Sequence, residues 1–183
     1  MKRCAFLTLA DPAGYVIDDE LAIPALAARG WRVETVPWTE SADWAAFDIV
    51  VIRSTWDYQH HLDRFLDVLG HIESSGTRLE NPAALVRWNT RKAYLRELEA
   101  RGMSVVPTLW GDDLDEGAFP AYFDALGADE LVVKPQVGAN AGDTLRVRRD
   151  DVAAQREAAA LFTRRPYMVQ PFLCSVTDEG EYS

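Results

Sequence analysis

The sequence predicts an α/β unit, a parallel sheet with flanking helices, followed by an α+β unit with a four-stranded antiparallel sheet and two helices. Strand-like and helix-like segments alternate through the first half, the pattern of parallel βαβ units. In the second half, two β-type runs are joined directly by a short glycine-containing loop, and strands joined that way pair antiparallel. No internal repeat or low-complexity linker interrupts the 183 residues. The expected divisions are residues 1–82, 83–173 and a closing segment 174–183.

Cys4–Leu9, Trp31–Val36 and Ile49–Ile52 are apolar and β-branched enough to read as strands. Between the first two, Asp18 and Asp19 offer caps for a helix to about Arg29, with Gly30 as its stop, and Pro24 confines the regular part to later residues. Leu62, Phe65, Leu66, Leu69 and Ile72 fall at helical spacing, and Gly76 separates that helix from a short strand near Thr77–Leu79. Asn81 and Pro82 mark a turn, after which Asn89 is expected to cap a helix from Thr90 to Arg101 closed by Gly102. There follow a strand Val105–Leu109, a helix near Asp115–Leu126, strands Leu131–Pro135 and Thr144–Val147, a helix Asp150–Phe162 and a strand Tyr167–Pro171.

With 48% hydrophobic and 26% charged residues, the composition is that of a globular chain with a sizeable core. No apolar stretch approaches the roughly 18 residues of a membrane helix. The opening MKRCAFLTLADP is too short and too soon acidic for a signal peptide, so a cytoplasmic protein with no membrane partner is expected. Cys4 and Cys174 lie far apart without neighbours at ligand spacing, and both read as buried, reduced thiols. Tryptophans 31, 38, 44, 56, 88 and 110 could line a homodimer contact, although scattered aromatics more often belong to cores.

A net charge of −10 argues against nucleic acid as a partner, because phosphate backbones are held through clustered Lys and Arg. A small anion needs only local positive charge. Lys134, Arg146, Arg148 and Arg149 supply it around the glycine loop, with Arg146 and Arg148 on one strand face by the two-residue period.

That loop belongs to the segment LVVKPQVGANAGDT, Leu131 to Thr144. An apolar strand ends near a lysine and empties into glycine, alanine and asparagine. Gly138 and Gly142 permit positive φ and close approach to a bulky anion, while Ala139 and Ala141 keep the loop thin. Consecutive amides in such a loop can converge on phosphate oxygens beside the Lys134 ammonium. It is neither a P-loop, which closes on Gly-Lys-Ser/Thr, nor the G-x-G-x-x-G fingerprint. By itself the segment also fits a plain hairpin connection with a solvated lysine.

Several motifs together resemble the ATP-grasp family, whose members place an α/β domain before a two-part nucleotide clamp. RWNTRKAYLREL (Arg87 to Leu98) resembles the segment giving the first ATP lysine, here Lys92. LVVKP resembles the segment giving the second, Lys134, and QVGANAGDT the phosphate-covering loop, with Gln136, Gly138, Ala139, Asn140, Gly142 and Asp143. YMVQPFL (Tyr167 to Leu173) resembles the adenine hinge, which implies backbone contacts around Gln170, Phe172 and Leu173; Glu181, or else Glu179, is the implied ribose acid. RSTWDY (Arg53 to Tyr58) resembles the glutathione-synthetase-like branch that includes the cyclo-ligase of cycloserine biosynthesis.

The resemblance implies ATP-dependent joining of a small-molecule carboxylate to an amine through an acyl phosphate. Lysines, backbone amides and magnesium would stabilise the transferring phosphoryl group without a nucleophilic relay. The family's magnesium ligands are acidic residues and an asparagine on a later subdomain, so they are expected outside this chain, which then reads as truncated before that subdomain and inactive alone. The alternative is a non-catalytic nucleotide-binding or protein-interaction module. A nicotinamide oxidoreductase is disfavoured, because no early strand leads into the required glycine fingerprint.

RSTWDY follows an apolar strand, and ligands of open α/β sheets sit at strand carboxyl ends. Arg53 would grip a substrate carboxylate, with Ser54, Thr55, Trp56 and Asp57 around it; otherwise Arg53 pairs with Asp57 and the aromatics pack the loop. His60, His61 and His71 fall within one expected helix and read as ordinary helix residues.

Overall fold

The first strand, β1 (Lys2–Thr8), is buried from Cys4 to Thr8, as an inner parallel strand covered on both faces must be. It pairs in parallel with β2 (Trp31–Pro37) on one side and β3 (Ile49–Ile52) on the other. β4 (Arg78–Glu80) adds to β3, giving the order β2-β1-β3-β4. The computed structural model describes residues 1–180 and divides into two compact units, Met1–Thr90 and Arg91–Ser183.

In unit one, the stripe Leu62, Phe65, Leu66, Leu69 and Ile72 of helix α2 (Leu62–Ser74) is buried. The helix before it is shorter than expected: a 3₁₀ turn (Asp19–Ala22) leads into α1 (Ile23–Ala27), where Pro24 occupies the first turn and lacks the N–H a longer upstream helix would use. Trp38 is fully buried and meets Phe65 edge-on at 5.4 Å, so this tryptophan belongs to the core. His60 lies in a 3₁₀ turn and His61 precedes α2, so only His71 is helical.

A helix not expected from the sequence, α3 (Ala83–Asn89), ends at Asn89, and the helix expected over Thr90–Arg101 is the shorter α4 (Tyr94–Ala100). α3 buries Ala83 and Val86, and the Ala83 amide donates to Glu73 Oε1 on α2 at 2.9 Å. Compact unit one ends at Thr90, one residue past α3.

Unit two is an antiparallel sheet in the order β5-β8-β6-β7. Its strands are β5 (Leu109–Gly111), β6 (Glu130–Pro135), β7 (Leu145–Arg148) and β8 (Tyr167–Pro171). The strand expected at Val105–Leu109 begins only at Leu109, where pairing with Val169 starts. Burial alternates along β6, with Leu131, Val133 and Pro135 inside. That face joins Val147, Tyr167 and Val169 beneath α5 (Phe119–Leu126) and α6 (Val152–Leu161). Phe119, Phe123 and Phe162 are at most 1% exposed, and each contributes roughly 2–3 kcal/mol of burial.

Glycine is required at position 111. A Cβ there would lie 2.3 Å from Tyr167 Cζ, and the Tyr167 hydroxyl is held at 2.6 Å from that of Tyr122. The chain closes through α7 (Ser175–Asp178), which places Cys174 in solvent while Cys4 is buried; four residues with an open flank have no core to cover that thiol.

Candidate functional site

The face of the second sheet opposite its core carries a cavity of about 750 Å³. In the β6–β8 register Val132 stands opposite Gln170 and Lys134 opposite Met168, which puts Val132, Lys134 and Gln170 on that face. Lys134 thus projects from the side of a strand whose other side is core.

Lys92 arrives from the segment before α4. Its amide donates to the Gln136 carbonyl at 2.8 Å, and its Nζ donates to the Gly138 carbonyl at 2.8 Å. Burial, and then the charge of Lys134, hold the Lys92 ammonium below the ordinary lysine pKa. Two ammonium groups in one cavity repel each other, and an anion between them relieves both.

A thin loop from Gly138 to Thr144 borders the lysines. The left-handed backbone expected of its glycines is found at Asn140 (φ 52°), Ala141 (54°) and Asp143 (54°). Short turns close it: Gly142 N–H donates to Ala139 O at 2.9 Å and Thr144 N–H to Ala141 O at 3.1 Å. Asp143 turns out of the cavity to pair with Arg165 at 2.6 Å.

The remaining wall is largely apolar, from Val106, Val132, Phe172, Leu173 and Val176. Arg146 lies over the Phe172 ring at 3.6 Å while forking onto Glu130 at 2.5 and 2.7 Å. That pairing holds the Glu130 carboxyl below its usual pKa.

Of the expected nucleotide residues, Lys92, Lys134, Gly138, Ala139, Asn140, Gly142, Gln170, Phe172 and Leu173 all line this one cavity. Gln136 does not; its side chain braces the strands by donating to the carbonyls of Gly111 and Tyr167. Glu179 is exposed beyond α7 and away from the lining, and Glu181 lies outside the described residues. The Phe172 amide is committed to the Glu130 carbonyl at 2.9 Å, which removes it from the donors a base could meet.

The expected arginine cations do not face the cavity. Arg146 is on Glu130, Arg148 on Asp150 at 3.5 Å, and Arg149 on Asp124 and Asp129. Acidic neighbours, abundant in a chain of net charge −10, claim the exposed guanidiniums first. The sequence also missed Val106, Thr144, Pro171 and Val176 as lining residues. Val106 has no strand periodicity to reveal it, and Val176 sits on a helix too short to show a stripe.

In unit one, the loop after β3 forms a second polar cluster. Arg53 Nε donates to Asp19 Oδ1 at 2.8 Å, and Ser54 Oγ donates to Asp19 Oδ2 at 2.5 Å. Arg53 therefore pairs with Asp19 rather than Asp57, whose carboxylate instead accepts from Trp38 Nε1 at 2.6 Å. Ser54 and Thr55 are buried, and Trp56 meets Tyr15 at 5.5 Å, packing the loop within its own unit.

Residues 4–81 match the family model described as D-cycloserine synthetase DcsG, N-terminal domain. The cycloserine biosynthesis protein DcsG of Streptomyces lavendulae is 35% identical over 169 residues, 87% of this chain and 55% of that protein. The crystal structure of D-cycloserine synthetase DcsG superposes with a TM-score of 0.82 at 31% identity, covering 97% of this chain and 62% of that one. A RimK domain ATP-grasp protein from Sphaerobacter thermophilus gives a TM-score of 0.69 at 24% identity, over 93% and 64% of the two chains.

By sequence and fold, the chain is similar to DcsG, and it shares its fold with solved structures of ATP-grasp proteins.

The chain spans between half and two thirds of the length of these similar proteins. The ATP-grasp ligase PsnB, at 18% identity and a TM-score of 0.56, shares the fold and is known with Mg and ADP; the match covers 93% of this chain and 65% of PsnB. The residues lining the cavity would suit a polyphosphate nucleotide: two lysines, a loop of small residues, and an apolar slot beyond. They do not by themselves suit a metal, since among the described residues no group of three or more His, Cys, Asp or Glu could hold one. No helix among the described residues is long and apolar enough to cross a membrane.

Proposed function

We propose that the cavity of unit two binds ATP and that the chain serves an ATP-dependent carboxylate–amine ligase. The observation that carries this is the convergence of Lys92 and Lys134, from separate elements, on one cavity whose far wall is apolar. ATP supplies the γ-phosphoryl group that activates a carboxylate as an acyl phosphate, from which an amine then displaces phosphate. Lys92 and Lys134 hold the phosphate oxygens and take up the charge that spreads over them during transfer. The loop from Gly138 to Gly142 keeps water from that charge, and the wall of Val132, Phe172 and Leu173 takes the flat base.

The substrate side of the reading lies in unit one. Arg53 is 38% exposed, spends Nε on Asp19 and keeps one terminal nitrogen 3.7 Å from exposed Asp18, a pairing that a substrate carboxylate at the end of β3 would compete for; Ser54, Thr55, Trp56 and Asp57 shape the loop that presents it. Magnesium would accompany the triphosphate in this chemistry.

Titrating ATP calorimetrically into the wild-type chain and Lys134→Ala tests the site. Loss of one charge-assisted phosphate contact weakens binding by about tenfold or more. Equal affinities would remove Lys134 from the site. The other reading is a nucleotide-binding or protein-interaction module without catalysis. ATP binding with no ADP release from any mixture of carboxylates and amines would select it.

A further inference from the structure

Gln170 is a buried polar side chain on the cavity wall, 8% exposed and opposite Val132. Its amide is not at liberty to turn. Thr108 Oγ1 donates to the Val106 carbonyl at 2.7 Å, and Gln170 Nε2 donates to Thr108 Oγ1 at 2.8 Å. A hydroxyl has a single proton, so once it is given to Val106 the Thr108 oxygen can only accept. Gln170 must therefore turn its NH₂ end to Thr108, and the two ends of its amide are assigned by the network. Turning the amide over would set Oε1 against an oxygen with no proton left to give.

We infer that Thr108 is a positioning residue that, through this relay, fixes the Gln170 amide with its acceptor Oε1 available to the purine edge, so that the cavity prefers a 6-amino purine to a 6-oxo purine. This rests on the nucleotide reading above. An exocyclic amino group donates and suits Oε1; a 6-oxo group sets two acceptors face to face. Gln170 is one two-residue strand step along the face from the level of Lys134, about 7 Å, which separates a base contact from a phosphate contact. Thr108 is outside the cavity lining, and its hydroxyl reaches the lining through the Gln170 amide and the Val106 carbonyl.

The test compares calorimetric affinities for ATP and ITP, whose bases differ in the 6-substituent, on the full chain. The wild type should prefer ATP by about tenfold, the worth of one buried polar contact. Thr108→Val keeps the shape and removes the hydroxyl; it should cut the ratio at least severalfold, while Thr108→Ser retains it. Should the valine variant not fold, as judged by thermal unfolding, Thr108→Ala carries the same comparison. An ATP-to-ITP ratio unchanged in the folded variant overturns the inference and leaves the nucleotide site standing. Failure of the wild type to bind either nucleotide overturns both.

Discussion

The Lys92 ammonium donates to the Gly138 carbonyl at 2.8 Å, bridging 46 residues of chain to hold the first glycine of the loop. The same ammonium carries two further N–H groups, which a phosphate could claim while the loop stays held.

Replacing Lys92 by Met keeps the length of the side chain and removes the cation. Nucleotide affinity should drop roughly 10- to 100-fold, the value of a hydrogen bond to a charged group. The ligand-free chain should melt no lower, since a half-buried charge beside a like charge is gone. Calorimetry and thermal unfolding read the two effects; lowered melting with intact affinity would make Lys92 a structural strut.

The lowered Lys92 pKa sets a pH dependence. Phosphate binding needs the ammonium, so affinity should weaken as pH climbs from about 7 toward and through a value below that of a free lysine. For folding the sign is opposite. The folded chain holds this proton less tightly than the unfolded chain, so the cost is fully present at neutral pH and is relieved as pH rises between the folded and unfolded pKa values. ATP affinity measured across that range should show an alkaline limb that is flattened in Lys92→Met; identical limbs would assign the loss to another group.

Gly111→Ala should destabilise unit two by about 1–3 kcal/mol, an overpacking cost. The added methyl meets the ring of a tyrosine that is 2% exposed and tied to Tyr122, so the ring has nowhere to swing. Denaturant unfolding gives the number, and Tyr122→Phe combined with Gly111→Ala should recover part of it by freeing the ring.

Asp19→Ala should cost about 2–4 kcal/mol, because it strips the acceptor from buried Ser54 and from Arg53 together. Asp19→Asn should cost less, since it keeps an oxygen for one of them. Equal losses in urea unfolding would mean that charge, and not hydrogen bonding, is what Asp19 supplies.

The sequence made the parallel and antiparallel sheets legible because each rests on a short-range pattern: apolar runs for inner strands, and alternation along Glu130–Pro135. Lys134 could be placed for the same reason, as it shares a period-two face with Val132. What sequence could not supply is the set of pairings made at a distance. Arg146 was free on paper and is spent on Glu130; Gln136 looked like loop and is a brace; Val106 joins the cavity with no regular structure to announce it. Helix α3 was equally hidden, since Asn81 and Pro82 announce a turn and a seven-residue helix is too short to show a clear stripe; its burial of Ala83 and Val86 is a contact made at a distance.

The alternation along β6 ties the ligand wall to the folding core in one six-residue strand. Inserting or deleting a single residue there would exchange the two sides, driving Lys134 inward among phenylalanines and exposing Leu131 and Val133 to water. Loss of the anion site and loss of the fold would then arrive together.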